Sequence, residues 1–334
     1  MHKRELDSPK LSSPPKVKSV ILDTLEVTSD YFKTKSHETL YRQAIRKHST
    51  INSLLKIIDV CDDSSKKKYW KTYHCKNVLI QQGNKLISSL CRKRWCQNCN
   101  RIRTAELINA YKQPLLNIQE RENLYFVTLT APTVSGRNLG SEITKRYKAF
   151  IKIKDNLRRN YGIKLVGIRK LEITYNRENN LYHPHFHLVQ QGKRESELIQ
   201  KLWLEQFTSA SVKAQDIRLI DARNPNNLLE VFKYATKGIA KDFTEAKALH
   251  TIYSHLEGRR IFQTYGKLKK VHTIPEAKDE HHNADFIPAD NDIYVYEHHL
   301  KDFTNAKFET LIGTIEIQKK LPKDFHSKKR EALE

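Results

Sequence analysis

The chain has 334 residues, of which 60 are Lys or Arg and 38 are Asp or Glu, so its formal net charge is +22. Hydrophobic residues make up 38% of it, and the mean hydropathy is −0.68. Since no run approaches the roughly 20 apolar residues that span a bilayer, and the N-terminal segment lacks the apolar core of a signal peptide, the sequence predicts a cytoplasmic protein. A membrane protein, a secreted disulfide scaffold and a collagen-like chain are excluded. The positive charge predicts a polyanionic partner, most simply nucleic acid.

The periodicity of hydrophobic residues and the positions of Pro and Gly predict an alternation of helices and strands. Residues 1–20 are predicted to be a flexible basic tail, and residues 61–104 hold all five cysteines. In chain order we expect a helix at 37–60, a helix at 104–118 that stops near Pro114 or just beyond it, a strand at 124–130, a basic helix at 141–160, a strand hairpin at 165–176 and 181–190, a helix at 194–209, a strand at 215–220 and a helix at 227–241.

The spacing of the cysteines predicts a structural zinc site rather than disulfides. Cys91, Cys96 and Cys99 lie within nine residues, and Cys75 lies sixteen residues before Cys91. A Cys-x-x-Cys turn directs two thiolates at one ion, and an upstream pair completes a tetrahedron. His74 is the substitute ligand if Cys75 points elsewhere, and Cys61 is left as a free thiol.

Alternating polar and apolar residues predict that the hairpin has one chemically distinct face. If residues 177–180 form a four-residue loop, Asn176 pairs with Leu181, and counting back places Glu172 opposite His185 and Lys170 opposite His187. His183, His185, His187 and Glu172 then share a face, whereas Leu171, Ile173, Phe186 and Leu188 face a core. Such a face is typical of a divalent-metal site with open positions. Glu172 and His183 are both candidates for its third ligand.

The segment after Asn227 predicts an amphipathic helix with a tyrosine on its polar face. Glu230, Tyr234, Lys237 and Lys241 recur at i, i+4, i+7 and i+11. A tyrosine in such a helix is usually a packing residue. Beside a metal face, however, its phenolate could be stabilised by Lys237 and the metal, and Tyr234 then becomes a candidate nucleophile.

Taken together, these motifs resemble those of rolling-circle plasmid replication initiators, bacterial proteins of the HUH endonuclease superfamily, over roughly residues 65–245. The motifs that match are the cysteine cluster, the strand Val127-Thr-Leu-Thr130, the His185-Phe186-His187 motif and Tyr234 followed by Lys237. The second cysteine of the cluster is followed by Gln97 where the family usually has Pro. A single tyrosine at the motif disfavours two-tyrosine enzymes.

The resemblance implies an α+β fold whose central antiparallel sheet has flanking helices, an HUH or RRM-like nuclease core preceded by a Cys-rich zinc module. The division expected is a tail at 1–20, a helical and Cys-rich region at 21–104, the catalytic domain at 105–245 and a region of unknown role at 246–334.

The implied activity is metal-dependent nicking of single-stranded or hairpin origin DNA. In this scheme His185, His187 and Glu172 hold Mg²⁺ or Mn²⁺, and Tyr234 attacks phosphorus with help from Lys237. A 5′-phosphotyrosine and a free 3′-OH for a host polymerase result, and Glu230 later activates water. A host helicase is a further implied partner. Zn²⁺ occupies the cysteine cluster.

Three other functions are also compatible with the sequence. The first is a single-tyrosine transposase or mobilisation relaxase on the same scaffold. The second is a non-catalytic zinc-containing DNA-binding protein, and the third is a hydrolytic metal nuclease that forms no covalent adduct.

Overall fold

A computed structural model describes residues 30–82, 85–233, 239–271 and 293–312. The helices are α1 (Asp30–Val60), α2 (Asp63–Tyr73), α3 (Gln97–Gln119), α4 (Leu139–Tyr161), α5 (Lys193–Gln206), α6 (Pro225–Phe232) and α7 (Phe243–Leu256). The strands are β1 (Val78–Gln82), β2 (Lys85–Ile87), β3 (Leu124–Leu129), β4 (Gly167–Asn176), β5 (Leu181–Gln191), β6 (Asp216–Ile220), β7 (Phe262–Tyr265), β8 (Ile293–Glu297) and β9 (Asp302–Thr304). Among these helices none is long and apolar enough to cross a membrane. The predicted tail at 1–20 lies outside the described residues.

The larger of two antiparallel sheets has five strands in the order β6-β3-β5-β4-β7, with helices on both of its faces. This arrangement confirms the predicted α+β fold with a central antiparallel sheet. The strand β7 comes from the segment after residue 245, for which the sequence indicated no role, and it pairs with β4.

The central hairpin has the register predicted from alternation. Asn176 pairs with Leu181, Glu172 with His185, and Lys170 with His187. The Asn176 side chain accepts hydrogen bonds from the backbone N–H groups of Glu178 and Asn179, which closes the turn locally. Because side chains alternate along a strand, this register fixes which residues face the site.

One face of the sheet carries the main core. Leu171, Ile173, Phe186 and Leu188 are all buried there, as predicted, under α4, α5 and α7. On the opposite face α3 and α6 cover only one end of the sheet, where Phe126, Ile168 and Val189 are buried. The polar side chains of the hairpin lie on this second face, beyond the helices' apolar contacts.

The helix α3 ends within one residue of the predicted position 118, but it begins seven residues earlier than predicted, at Gln97. Pro114 lies inside the helix, which ends at Gln119. A proline has no N–H, so the carbonyl group of Ala110 loses its intrahelical partner. The backbone N–H of Val271 donates to that carbonyl at 3.0 Å, which satisfies it from outside the helix.

A smaller sheet joins distant parts of the chain in the order β2-β1-β8-β9. It packs against α1 through a cluster that includes Leu40, Ile51, Leu79 and Phe303. These strands and α2 were not predicted from the sequence. The polar stretch at 276–292 precedes β8 and lies outside the described residues.

Candidate metal centres and the end of the tyrosine helix

The hairpin brings two imidazoles and a carboxylate to one point. The Nε2 atoms of His185 and His187 are 3.1 Å apart, and a carboxylate oxygen of Glu172 is 3.3 Å from Nε2 of His187. One ligand atom from each of the three residues lies within 4.8 Å of the others. His183 is not part of this group, so the structure favours Glu172 over His183 as the third candidate ligand.

The other ring nitrogen of each histidine is already occupied. Nδ1 of His185 donates to the carbonyl oxygen of His183 at 3.0 Å, and Nδ1 of His187 is 3.2 Å from the hydroxyl of Thr128. Such contacts orient an imidazole and direct the lone pair of Nε2 outwards. Two imidazole Nε2 atoms and a carboxylate oxygen this close together suit a cation, so the donor set fits a divalent metal ion.

Burial and charge favour the protonation states of His185 and Glu172 that can bind a metal ion. Burial lowers the pKa of His185 to about 4, which favours the neutral ring. Burial alone would raise the pKa of Glu172, but the hydrogen bond with His187 and the nearby Lys170 ammonium outweigh it and lower the value to about 2. The ring is therefore neutral and the carboxylate ionised at neutral pH.

Lys170 connects this site to the end of α6. Its Nζ lies 3.5 Å from a Glu172 oxygen, and it donates to the backbone carbonyls of Lys233 at 3.1 Å and Glu230 at 3.4 Å. Burial lowers the pKa of Lys170, and the Glu172 carboxylate opposes that effect. The Glu230 carboxylate forms an ion pair with Lys233 on the same helical turn. Burial raises the pKa of Glu230, but the Lys233 hydrogen bond brings the net value below the ordinary one.

The tyrosine helix is shorter than predicted. It ends at Phe232, and Lys233 already has a ψ angle of 146°. Glu230 and Lys241 therefore do not share one helical face, and Lys241 instead lies just before α7. Tyr234 and Lys237 lie outside the described residues. Leu228 and Phe232 are buried, whereas Leu229 is exposed.

The four predicted cysteines converge at a second site. Sγ of Cys75 lies 3.5 Å from Sγ of Cys99 and 3.7 Å from that of Cys96, and Cys91 lies 3.7 Å from Cys99. Tetrahedral zinc with Zn–S bonds of about 2.3 Å places its sulfurs about 3.8 Å apart, so the cluster fits such an ion. All five cysteines are free, and Cys61 lies in the main core instead. His74 is not in the cluster.

The loop between these cysteines docks onto the rest of the protein. The Arg94 guanidinium donates to the carbonyls of Leu256 and Arg259 at the end of α7. The Trp95 ring packs 4.9 Å from Tyr69 and 5.5 Å from Tyr253, and its N–H donates to Thr72. The loop therefore ties α2 to α7.

Two residues near the hairpin site received no role from the sequence. Register counting predicts that Lys170 lies opposite His187, and the sequence gives no other indication that Lys170 belongs to the site. Thr128 lies on β3, directly paired with His187, and the strand pairing of β3 was not predicted. Only the three-dimensional arrangement shows that these residues touch the site.

The fold and the two sites thus define an α+β protein with two clusters of side chains that could bind a metal ion. A family model described as "Replication protein" (Rep_1) matches residues 84–309. A "Protein rep" of Staphylococcus aureus is 26% identical over 232 residues, which cover 66% of this chain and 97% of that protein. One from Streptococcus pneumoniae is 25% identical over 202 residues, 54% of this chain and 62% of that protein. One from Bacillus amyloliquefaciens is 34% identical over 109 residues, 31% of each. No solved structure shows a significant match.

Because the matched segment covers more than half of its length, this chain belongs to the Rep_1 family of replication proteins. The resemblance to rolling-circle plasmid replication initiators, drawn from the motifs, is confirmed. Membership supports a role in plasmid replication.

Proposed function

We propose that this protein initiates plasmid replication by nicking single-stranded origin DNA through tyrosine transesterification. The observation that carries the proposal is the group of His185, His187 and Glu172, whose ligand atoms lie within 4.8 Å of one another. The backbone carbonyl that precedes Tyr234 is held 3.1 Å from Lys170, which also contacts Glu172. Family membership and the position of Glu230 beside this site are consistent with the same activity.

His185, His187 and Glu172 would hold Mg²⁺ or Mn²⁺, oriented by the His183 carbonyl and the Thr128 hydroxyl. When bound, such an ion acts as a Lewis acid on the scissile phosphate.

The phenol oxygen of Tyr234 would attack phosphorus while its proton leaves to solvent. The bond from phosphorus to the 3′ oxygen breaks, and that oxygen takes up a proton to give a 3′-OH that a host polymerase can extend. Lys237 assists by stabilising the phenolate. In a later step Glu230 accepts a proton from water as the water attacks the 5′-phosphotyrosine, which releases the DNA 5′ end and restores Tyr234.

The DNA backbone would also be bound by α4. Lys145, Lys148 and Lys152 are exposed and line one shallow groove with Phe207 of the α5 end. Each lysine that neutralises a phosphate contributes to the salt dependence of binding. We expect Lys148→Gln with Lys152→Gln to weaken DNA binding and to reduce the slope of log affinity against log salt by about 2. An unchanged slope in filter-binding titrations would contradict this assignment.

The cysteine cluster would hold Zn²⁺ as a structural ion. Its sulfur spacing supports this assignment, and the docking of Arg94 and Trp95 on α2 and α7 supports a role in stabilising the fold. A host helicase is a further proposed partner, from the resemblance alone.

The proposal is tested with a labelled single-stranded oligonucleotide from the origin, incubated with Mn²⁺ and analysed on a denaturing gel. The wild-type protein should give a labelled protein band, and Tyr234→Phe should not. Cleavage without such a band would indicate a hydrolytic nuclease. Confirmed origin binding with no cleavage would indicate a non-catalytic DNA-binding protein.

A further inference from the structure

A single buried ammonium group lies between the hairpin site and the end of α6. Lys170 is only 3% exposed. Its Nζ contacts three oxygens, one on the Glu172 carboxylate and two on the backbone carbonyls of Glu230 and Lys233. A buried lysine is costly unless it is paired, so these three oxygens are what stabilise the charge at this position.

The two carbonyls lie where a helix needs an external partner. The last four carbonyls of an α-helix have no intrahelical donor, and a cation near that end is favourable. Lys233 has left the helical conformation, and its carbonyl is the last backbone group before Tyr234. The Lys170 ammonium therefore binds the chain at the point where it leaves α6, and binds Glu172 at the same time.

We propose that Lys170 is a positioning residue for the nicking reaction, which fixes the exit of the chain from α6 relative to the hairpin site. This inference rests on the proposed function, because it assigns the reacting tyrosine to the segment that begins at residue 234. A misplacement of about 1 Å between reacting groups can lower a rate about 100-fold. Lys170 acts through its contacts with the Glu172 carboxylate and with the two backbone carbonyls of α6, and we assign it no contact with the reacting phosphate.

The test compares full-length Lys170→Met with wild type and with Lys201→Met, a control at an exposed lysine of α5 on the other side of the sheet. We expect the single-turnover rate of adduct formation to fall about 100-fold in Lys170→Met alone. Hydrogen exchange in the peptide covering residues 228–240 should become faster, whereas exchange in β4 and β5 should not change. Mn²⁺ should bind at least as tightly as in wild type, because a cation beside Glu172 has been removed.

A wild-type rate with wild-type exchange at 228–240 would overturn the proposal. Faster exchange throughout β4 and β5 with weaker Mn²⁺ binding would also overturn it, because it would reveal a general role in folding. If Lys170→Met does not fold, Lys170→Gln is measured in the same way, and it should give an intermediate rate because it keeps an N–H donor. If the wild-type protein forms no adduct, the proposed function fails, while the exchange comparison still shows whether Lys170 holds the end of α6.

Discussion

The three histidines of β5 differ in what their ring nitrogens face. Nε2 of His185 and of His187 point at each other and at Glu172, whereas His183 stacks on the His185 ring with the centroids 4.9 Å apart. The backbone carbonyl of His183 accepts a hydrogen bond from Nδ1 of His185, so a substitution of the His183 side chain leaves that hydrogen bond in place.

We therefore expect His185→Gln to weaken Mn²⁺ binding by at least about 100-fold, since even loss of an outer contact costs 10–100-fold at metal sites. The matched variant His183→Gln should bind Mn²⁺ nearly as tightly as wild type. Calorimetric titration of both variants measures the difference. Equal losses in the two would show that the ligand set is wrong.

The proposed role of Glu230 as a general base is also testable by one substitution. Its pKa lies below the ordinary value of 4.5, because the Lys233 hydrogen bond outweighs the effect of burial. The carboxylate is therefore ionised above about pH 4.5 and can accept a proton from water. We expect Glu230→Gln to form the adduct at the wild-type rate and to hydrolyse it about 100-fold more slowly. An adduct that decays at the wild-type rate would exclude Glu230 as the base.

Among the elements, the loop that holds Arg94 and Trp95 connects the cysteine cluster to the packing of α2 and α7. We expect Cys96→Ser to lose bound zinc and to lower the free energy of unfolding by about 4 kcal/mol or more. Without the metal, the loop that contains Arg94 and Trp95 would no longer be held against α2 and α7. Metal emission spectrometry and denaturant titration measure the two effects. Cys61→Ser, at the cysteine outside the cluster, should keep its zinc, and zinc-free wild-type protein would refute the assignment.

The hairpin was predictable from sequence because alternation with a period of two fixes both the register and the face of each side chain. The same reasoning failed for α6, since hydrophobic spacing continues past Phe232 while the chain turns away at Lys233. The course of α3 through Pro114 depends on the Val271 N–H, 157 positions later in the chain, and no local pattern signals such a partner. The strands β8 and β9 were missed because they are stabilised by contacts with α1 and β1, which are distant in sequence.

At the scale of the whole molecule, α1 spans the two sheets. It packs against α7 beside the large sheet and against the cluster under the small one. Near the small sheet, His48 of α1 stacks on His298, which follows β8, with the ring centroids 4.2 Å apart. His298 also contacts the side-chain oxygen of Asn52.

We expect the pair of His48 and His298 to make the stability of the fold near the small sheet depend on pH. Burial lowers the pKa of both rings, and nearby lysines act in the same direction. Since the folded pKa is below the unfolded value of about 6.5, the pair stabilises the fold fully above that pH and less as the pH falls. We expect His48→Gln to show a shallower loss of unfolding free energy than wild type between pH 7.5 and 5.5, measured by denaturant titration. Parallel slopes would exclude the pair as a contributor.

We propose that the end of α6 delivers a tyrosine nucleophile to the hairpin face that carries His185, His187 and Glu172. Peptide mapping by mass spectrometry of the protein–DNA adduct, after nuclease and trypsin digestion, tests this proposal. We expect a nucleotide 5′-phosphate on the peptide that contains Tyr234, together with a free 3′-OH on the released strand. A nucleotide attached to any other residue, or a 5′-phosphate on free DNA with no modified peptide, would contradict it.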